Sequence, residues 1–359
     1  MFWSEYAKDA ARTDEFDDKD RVEHAELLAL GLVGEVGSVL AEVKKKRRDG
    51  RTYPVYEATV HEELGDCLWY SFRVAQVQGV EIGTDPFDAA HQPARNDLRG
   101  ACLMLAKIAG AIADAVMQSA PLKELMPLFW ASLRDVATLA GSVDAPILLE
   151  EAARRNIAKR EDHYPRQKDY AALFDEGSPA FERLPRSMTI DFVEFTRDGK
   201  KSLVVLRYEG MNLGNKVPDD IGGYPDYYRF HDVFHLAHAA KLGWSPVFRE
   251  MMKCPRAGTN EDGPRARFLE ESVIATVFHR ARAAGLYEGA DKVDYSLLKR
   301  VQDLVRDYES AKLPAWRWQE AILEGYEVFR KLKDLKGGRV LIDLPNRVIK
   351  YVGPVEPGK

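Results

Sequence analysis

The strongest constraint on the fold is the helical spacing of apolar residues between about residue 20 and residue 159. Each segment repeats apolar side chains three and four positions apart, and glycine- and proline-containing stretches separate the segments. Long amphipathic helices with short connections predict an antiparallel all-α bundle over residues 1–165. The segments are "EHAELLALGLVGEVGSVLAEVKK", "VHEELGDCLWYSFRVAQV", "LRGACLMLAKIAGAIADAVMQ", "LMPLFWASLRDVATLAGSV" and "APILLEEAARRNIAKRED".

The pattern changes after Pro165. Residues 166–185 are expected to form a linker with one short helix. Two runs rich in β-branched residues flank Asp198-Gly199, a dipeptide typical of hairpin turns, and a second hairpin is predicted to turn at Pro345-Asn346. Helices are expected between the hairpins. The fold class is therefore two domains, with an α+β domain over 186–359 that has hairpins and a histidine-bearing helical core.

Composition narrows the class of protein. The chain has 359 residues, of which 45% are hydrophobic and 30% charged, so each domain can bury a core. A formal net charge of −5 gives no strong signal for nucleic-acid binding. The three cysteines are widely scattered, which suits a reducing compartment. The acidic N-terminus does not resemble a signal peptide, and no apolar run of membrane-spanning length is expected. We therefore expect a cytoplasmic protein without a membrane partner.

Acidic residues lie on the apolar faces of two neighbouring predicted helices. Glu35 and Glu42 share one face of the first helix with Ser38, and Glu63 and Asp66 are one turn apart on the second. If the helices pack antiparallel, these four carboxylates converge, and a hard divalent cation such as Mg²⁺ would neutralise them. The alternative is a set of solvated helix faces, because a chain with 57 acidic residues contains many chance pairs.

Basic and amide groups follow the acidic ones. Lys44 and Lys45 begin a basic run at the end of the first helix, and Asn156 and Lys159 share one face of a later helix. Such groups would bind the phosphate oxygens of a substrate. The alternative for the run is a solvated helix end whose lysines complement the helix dipole.

Three motifs, in order, resemble those of the MazG-type all-α nucleoside triphosphate pyrophosphohydrolases. They are "GLVGEVGSVLAEVKK", "VHEELGDCLWY" and "RRNIAKRED", and the resemblance covers about residues 20–165. The family motif is E-x-x-E, a spacer and E-x-x-D, whose acidic residues bind Mg²⁺. Glu35, Glu63 and Asp66 match it, whereas Ser38 occupies the place of the second glutamate. Glu42, one turn further along, is the candidate to supply the missing carboxylate.

The resemblance implies cleavage of a nucleoside triphosphate to the monophosphate and pyrophosphate. Glu35 and Asp66 are then expected to be metal ligands, and Glu63 to activate water or to add a further metal bond. Asn156 and Lys159 match the family's late N-x-x-K, which contacts the substrate. Family members are dimers or higher oligomers, so a homo-oligomer is expected. Trp69 and Tyr70 are expected to belong to the core.

A second cluster lies in "YYRFHDVFHLAHAAKLGWSP". His231 and His235 are four residues apart on a predicted helix, and with Glu270 or Glu271 they have the spacing of a site for Zn²⁺ or another transition metal. Asp232 is expected to be a supporting partner of these ligands or a weak base. His238 is expected to be a core residue. A metal-dependent phosphohydrolase with paired His-Asp motifs is less supported, because no second His-Asp pair follows.

Alternatives remain for both clusters. Histidines on an apolar helix are commonly held by hydrogen bonds in the core, so the histidine cluster can be structural. The stretch from "LPRSMTIDF" to "FLEES" resembles a domain found fused to MazG-type domains, which implies a shared domain and no particular activity. A second hypothesis for the whole chain is therefore a nucleotide-sensing protein. In it, a degenerate MazG-like domain would control a metal-dependent hydrolase in the C-terminal domain. The glycine-rich loop "NLGNKVPDDIGGYPD" could form the lip of a pocket there, or be a plain connector.

Overall fold

Within the described part of residues 1–164, all regular secondary structure is helical. The structure is a computed structural model that describes residues 2–87, 97–141, 146–195, 202–219 and 226–355. The chain divides into two compact units, an N-terminal unit Met1–Tyr164 and a C-terminal unit Pro165–Lys359. The described helices of the N-terminal unit are α1 (Phe2–Arg12), α2 (Arg21–Asp49), α3 (Tyr56–Val77), α4 (Leu98–Met117), α5 (Leu125–Ala140) and α6 (Leu149–His163).

The starts of the helices follow local chemistry. The side chain of Asp20 accepts hydrogen bonds from the backbone amides at the start of α2, and Asp97 does the same for α4. The all-α fold predicted for this unit is confirmed. Helix α1 was not predicted, although its Tyr6 side chain is almost fully buried and belongs to the core.

Two glycines allow helices to approach closely around α3. A Cβ atom on Gly31 of α2 would lie 2.1 Å from the ring of Tyr70 on α3. A Cβ atom on Gly65 of α3 would lie 2.8 Å from the backbone oxygen of Ala152 on α6. Since real Cβ contacts are longer than 3.0 Å, a side chain at Gly65 would have to displace the backbone of α6, and one at Gly31 would have to displace the Tyr70 ring. These contacts hold α2 and α6 directly against α3.

No apolar segment of membrane-spanning length was expected, but helix α4 is one by length and composition. Among the helices of the described residues, it alone has the length and apolar composition of a membrane span. This is weak evidence for a membrane, because the core helix of a soluble protein passes the same test. Ala101, Leu105 and Ile112 of α4 lie in the apolar core of the N-terminal unit, as in such a core helix.

The C-terminal unit contains an antiparallel five-stranded sheet. Its order is β3-β2-β1-β4-β5, and β1 pairs with both β2 and β4. The turn predicted at Pro345-Asn346 joins β4 and β5, whereas the turn predicted at Asp198-Gly199 lies outside the described residues. Strand β3 lies where the glycine-rich loop was expected. The strands are β1 (Ser187–Phe195), β2 (Leu203–Tyr208), β3 (Met211–Pro218), β4 (Gly337–Asp343) and β5 (Val348–Gly353).

Helices of the C-terminal unit pack with this sheet in one apolar core. The α+β class predicted for this half of the chain is therefore confirmed. Phe234 and Ala237 of α7 pack against Gly325 of α11, where a Cβ atom would lie 3.1 Å from both side chains. A π-helical turn, His238–Leu242, directly follows α7. The described α-helices are α7 (Asp232–Ala237), α8 (Pro246–Met251), α9 (Pro264–Ala283), α10 (Tyr295–Leu304) and α11 (Ala315–Leu335).

Residues 166–185, expected to be a linker, pack into the C-terminal unit. Asp175 is 2% exposed and accepts hydrogen bonds from the backbone amide of Leu184 and from the guanidinium groups of Arg186 and Arg249. Arg249 is itself buried, and Asp175 is its nearer counter-charge at 2.7 Å, with Asp262 at 3.8 Å. The segment is therefore an integral part of this unit.

Candidate functional site

Three carboxylates meet between α2 and α3. One oxygen from each of Glu35, Glu63 and Asp66 lies within 4.8 Å of the others. Glu63 and Asp66 leave the same face of α3 because they are one turn apart, and the close crossing at Gly31 places Glu35 opposite them. We call these three residues the acidic cluster. The cluster is partly buried, so its like charges repel in a medium less polar than water.

The electrostatics of the acidic cluster follow from this crowding. Burial, followed by the charges of Asp66 and Glu63, raises the pKa of Glu35 to about 7. Burial also raises the pKa of Glu63, with further contributions from Asp66 and Glu62. Lys159 opposes the shift at both carboxyl groups. Without a cation, the cluster therefore retains protons that isolated carboxyl groups would lose.

Asn156 and Lys159 of α6 both contact Asp66. The Asn156 side-chain amide donates to one oxygen of Asp66 at 2.7 Å, and the Lys159 ammonium donates to the other at 2.6 Å. The hydroxyl of Tyr6 donates to the Asn156 oxygen at 3.1 Å, which orients the amide. Tyr6 was not among the predicted site residues, although the apolar spacing in "FWSEYAKDAA" indicates a helix with a buried face. Two of the four substrate-binding candidates, Asn156 and Lys159, thus lie at the cluster, where they orient and neutralise a carboxylate.

Three other predicted residues lie elsewhere. Glu42 does not join the acidic cluster, because it is 4% exposed and accepts hydrogen bonds from the Tyr53 hydroxyl and the Lys45 ammonium. The Lys45 ammonium is paired with Glu42, and its role in phosphate binding stays a prediction. Lys44 is exposed and nine residues, or two and a half turns, from Glu35. It therefore leaves the face of α2 opposite Glu35, and its role in substrate binding stays a prediction.

The aromatic residues next to the cluster serve packing. Trp69 is buried, its indole N–H donates to the Thr13 hydroxyl at 3.0 Å, and the Arg160 guanidinium lies 4.0 Å from its ring centre. The ring of Tyr70 fills the gap at Gly31. The prediction that Trp69 belongs to the core is confirmed.

A second group of ligand-type side chains lies in the C-terminal unit. One ligand atom from each of His231, Asp232 and His235 lies within 4.8 Å of the others, and all three residues are buried. The i, i+4 spacing turns both imidazoles to one side of α7. Asp232, expected to be a supporting partner of the ligands or a weak base, is thus one of the three converging residues. We call this group the histidine cluster.

Two glutamates of α9 have different places around the histidine cluster. Glu270 is fully buried and accepts hydrogen bonds from His238 Nδ1 at 3.0 Å, from the Ser245 hydroxyl at 2.8 Å and from the Val247 amide at 2.9 Å. Its carboxylate is therefore committed to the core, together with His238. Glu271 has a partly exposed side chain, with Oε1 3.3 Å from His235 Nε2.

The ionisation of His235 and the ionisation of the two glutamates depend strongly on each other. Burial disfavours a charged His235, but Glu270 and Glu271 outweigh burial and raise the pKa of His235 to about 10. Burial similarly opposes an ionised Glu270, but His235 and His238 lower the pKa of Glu270 to about 2. A cation beside these two carboxylates is therefore favoured, whether it is an imidazolium or a metal ion.

An open cavity of about 940 Å³ adjoins the histidine cluster. His231, Asp232 and Glu271 form part of its wall, whereas His235 lies behind them. Residues 211–215 of β3 also line the cavity. They include the start of the glycine-rich segment considered as a pocket lip, of which residues 220–225 lie outside the described residues. The volume is in the range of small-molecule sites.

A third group of possible metal ligands is already neutralised. Asp14, Asp17 and His24 approach one another in the N-terminal unit. The Arg73 guanidinium donates to Asp14 at 2.6 Å and to Asp17 at 3.1 Å, and His24 Nε2 lies 2.8 Å from Asp14. This arrangement is a buried ion-pair network that ties the α1–α2 connection to α3.

Comparison with known families agrees with the two units. Residues 23–92 match the family model of the MazG nucleotide pyrophosphohydrolase domain, and residues 169–355 match that of the MazG C-terminal domain. These matches define the class as a nucleotide pyrophosphohydrolase-type helical domain followed by its associated C-terminal domain. Because the second match alone spans more than half of the 359 residues, the chain belongs to the MazG family. A search of curated proteins and a search of solved structures each found no match.

Proposed function

We propose that this protein is a Mg²⁺-dependent hydrolase that cleaves the bond between the α- and β-phosphates of a nucleoside triphosphate. The products would be a nucleoside monophosphate and pyrophosphate. The observation that carries the proposal is the convergence of Glu35, Glu63 and Asp66 within a MazG nucleotide pyrophosphohydrolase domain. Either ribo- or deoxyribonucleotides would serve as substrates.

The donor set of the acidic cluster suits magnesium. It consists of carboxylate oxygens, which hard cations prefer, and the raised pKa of Glu35 reflects negative charge that a cation would neutralise. Glu35 and Asp66 would hold the ion, and Glu63 is the candidate for a further ligand. A bound Mg²⁺ would neutralise phosphate charge and polarise the scissile anhydride.

The remaining chemistry falls to protein groups. Glu63 would accept the proton of the attacking water, a role for which a partly buried carboxylate with a raised pKa is suited. Lys159 would exchange its contact with Asp66 for a phosphate oxygen once Asp66 is neutralised by the metal. Asn156, held by Tyr6, would keep Asp66 in its orientation.

Pyrophosphate release from a panel of nucleoside triphosphates, with and without Mg²⁺, tests the proposal. We expect Glu63→Gln to abolish turnover while the protein remains folded, because the amide keeps the shape of the side chain and cannot accept the proton. Glu57→Gln is the matched control, since Glu57 is exposed on the same helix. A Glu63→Gln variant with the wild-type rate would remove Glu63 from the mechanism.

The second candidate function is nucleotide sensing, with control of the C-terminal unit. Ser38 favours it, because the MazG-type motif has a glutamate at this position and the chain therefore offers one carboxylate fewer. Glu42, the candidate to supply that carboxylate, accepts hydrogen bonds from Tyr53 and Lys45, which would compete with a metal ion. Nucleotide binding without pyrophosphate release, together with gain of turnover in Ser38→Glu, would establish sensing over catalysis. Turnover by the wild-type protein would exclude a MazG-like domain that only binds the nucleotide.

We further propose that the protein acts in the cytoplasm as a homo-oligomer without a membrane partner. Apolar side chains on the surface of the N-terminal unit support self-association, since Leu30 of α2 is 70% exposed and Leu103 of α4 is 59% exposed. Light scattering is expected to give a multiple of the 40.6 kDa chain mass. A species of one chain at micromolar concentration would contradict the oligomer.

A further inference from the structure

We propose that the histidine cluster of the C-terminal unit is a binding site for a divalent transition-metal ion, held by His231, Asp232 and His235 with Glu271 as a further carboxylate ligand. The proposal concerns a second site with chemistry different from that of the acidic cluster. It begins from three buried side chains of ligand type that converge within 4.8 Å.

Oxygen atoms behind the two imidazoles face Nδ1 of each ring, so Nε2 of each ring is turned toward the site. His231 Nδ1 donates to the backbone oxygen of Tyr228 at 3.0 Å, so its Nε2 carries the lone pair. His235 Nδ1 lies 3.0 Å from Glu270 Oε1, although the two atoms are not aligned for a hydrogen bond, and the carboxylate favours a proton on that nitrogen. Metal-binding histidines characteristically present one nitrogen to the ion while the other faces a carbonyl or carboxylate group.

His235 supplies an independent observation. Its side chain is 0% exposed, and within the described residues neither ring nitrogen makes an aligned hydrogen bond, although Glu270 Oε1 is 3.0 Å from Nδ1 and Glu271 Oε1 is 3.3 Å from Nε2. Buried polar atoms are nearly always bonded, so an unpartnered imidazole nitrogen aimed into a group of carboxylates requires an explanation. A metal ion between His235, Asp232 and Glu271 would supply the missing bond.

The support behind the cluster is rigid. Glu270 is fixed by His238, Ser245 and the Val247 amide, so it can orient His235 but is not available as a ligand. The segment before His231 is held by Arg229, whose guanidinium contacts Asp219 at 2.8 Å. A metal site needs this kind of support, because ligand positions must be accurate to a few tenths of an ångström.

The donor set and the cavity indicate the kind of ion and its route. Two imidazole nitrogens with carboxylate oxygens favour zinc and neighbouring transition metals over Mg²⁺, which prefers oxygen ligands alone. His231, Asp232 and Glu271 line the 940 Å³ cavity, so an ion can enter from solvent. On its cavity side, the ion would be accessible to an oxygen ligand of a small molecule.

Metal titration of the full-length protein tests the site. The protein is stripped with a chelator and titrated with Zn²⁺ and, separately, with Co²⁺, in excess Mg²⁺ that saturates the acidic cluster. We expect about one Zn²⁺ per chain, and visible Co²⁺ absorption typical of nitrogen ligation. His235→Ala and Asp232→Asn should each weaken Zn²⁺ binding by about 100-fold or more, and Glu271→Gln by roughly 10- to 100-fold.

His279→Ala is the matched control, because His279 is exposed on α9, the helix that carries Glu271. It should bind Zn²⁺ like the wild type. Less than about a tenth of an ion per wild-type chain, or unchanged affinity in His235→Ala, would overturn the proposal. If His235→Ala fails to fold, the partly exposed Glu271→Gln and the Co²⁺ spectrum of the wild type decide the question.

Discussion

Glu35→Gln should make the metal-free protein more stable at alkaline pH while it removes the Mg²⁺ response. The pKa of Glu35 is raised from 4.5 to about 7 by burial and by the charges of Asp66 and Glu63. Ionisation of Glu35 therefore costs free energy in the folded state. An uncharged glutamine of the same length avoids this cost and can still donate a hydrogen bond to Glu63.

The sign and size of the effect follow from proton linkage. Between about pH 4.5 and pH 7, the folded state binds more protons at Glu35 than the unfolded state, so the stability of the wild type falls as the pH rises. The full difference corresponds to about 3 kcal/mol above pH 7. Because Glu35 is partly exposed, solvent screening reduces this to about 1–2 kcal/mol.

Calorimetry of the full-length chain without divalent ions measures the effect. At about pH 8.5, the N-terminal transition of Glu35→Gln should lie roughly 2–8 °C above that of the wild type. At about pH 5 most of the difference should vanish, since Glu35 is then largely protonated in the folded wild type. Added Mg²⁺ should stabilise the wild type and leave the variant unchanged.

Glu26→Gln provides the matched control, because Glu26 is exposed on the same helix as Glu35. It should shift the transition little at either pH and retain the Mg²⁺ response. The reasoning is refuted if Glu35→Gln melts at or below the wild-type temperature at alkaline pH. A Glu35→Gln protein that Mg²⁺ still stabilises fully would show that Glu35 is not a metal ligand.

Three further results are expected. Lys159→Ala should raise KM by roughly 10- to 100-fold with a smaller effect on kcat, because one charge-assisted hydrogen bond to phosphate contributes about 1.5–3 kcal/mol; unchanged KM would contradict the phosphate role. Gly65→Ala should destabilise the protein by about 1–3 kcal/mol in thermal unfolding, since its methyl group would press on the Ala152 backbone and displace α6; a wild-type melting temperature would mean that α6 yields without cost. A C-terminal fragment starting at residue 166 should give a cooperative melt, whereas one starting at residue 186 should not, because Arg249 loses its buried partner; equal melts would show that residues 166–185 are dispensable.

The secondary structure was predictable wherever periodicity was strong. The helices α2 to α6 and the hairpin of β4 and β5 were expected from apolar spacing and turn residues. Strand β3 was missed because its sequence, "MNLGNKVP", is rich in turn-forming residues and lies at the sheet edge, where pairing with β2 outweighs weak propensity. Helix α1 was missed because it is short, and its burial depends on packing against α3 and α6.

The acidic cluster was predictable in part. Spacing placed Glu35 on the apolar face of one helix and Glu63 and Asp66 on one face of the next, and the resemblance to MazG-type motifs supported all three. The place of Glu42 was not predictable, because Tyr53, eleven residues away, takes its carboxylate in the folded chain. In the same way, the histidine spacing indicated His231 and His235 but did not reveal that Asp232 turns toward them.

The sequence by itself determined which side chains share a helix face, because 3.6 residues per turn sets that relation within each helix. Only the tertiary structure decided which faces meet and at what height, since that depends on contacts between residues distant in the chain. The crossing of α3 and α6 at Gly65 brings Asn156 and Lys159 onto Asp66, 90 and 93 residues away along the chain. Local spacing carries no information about such a crossing, because it arises from close packing of one helix against another.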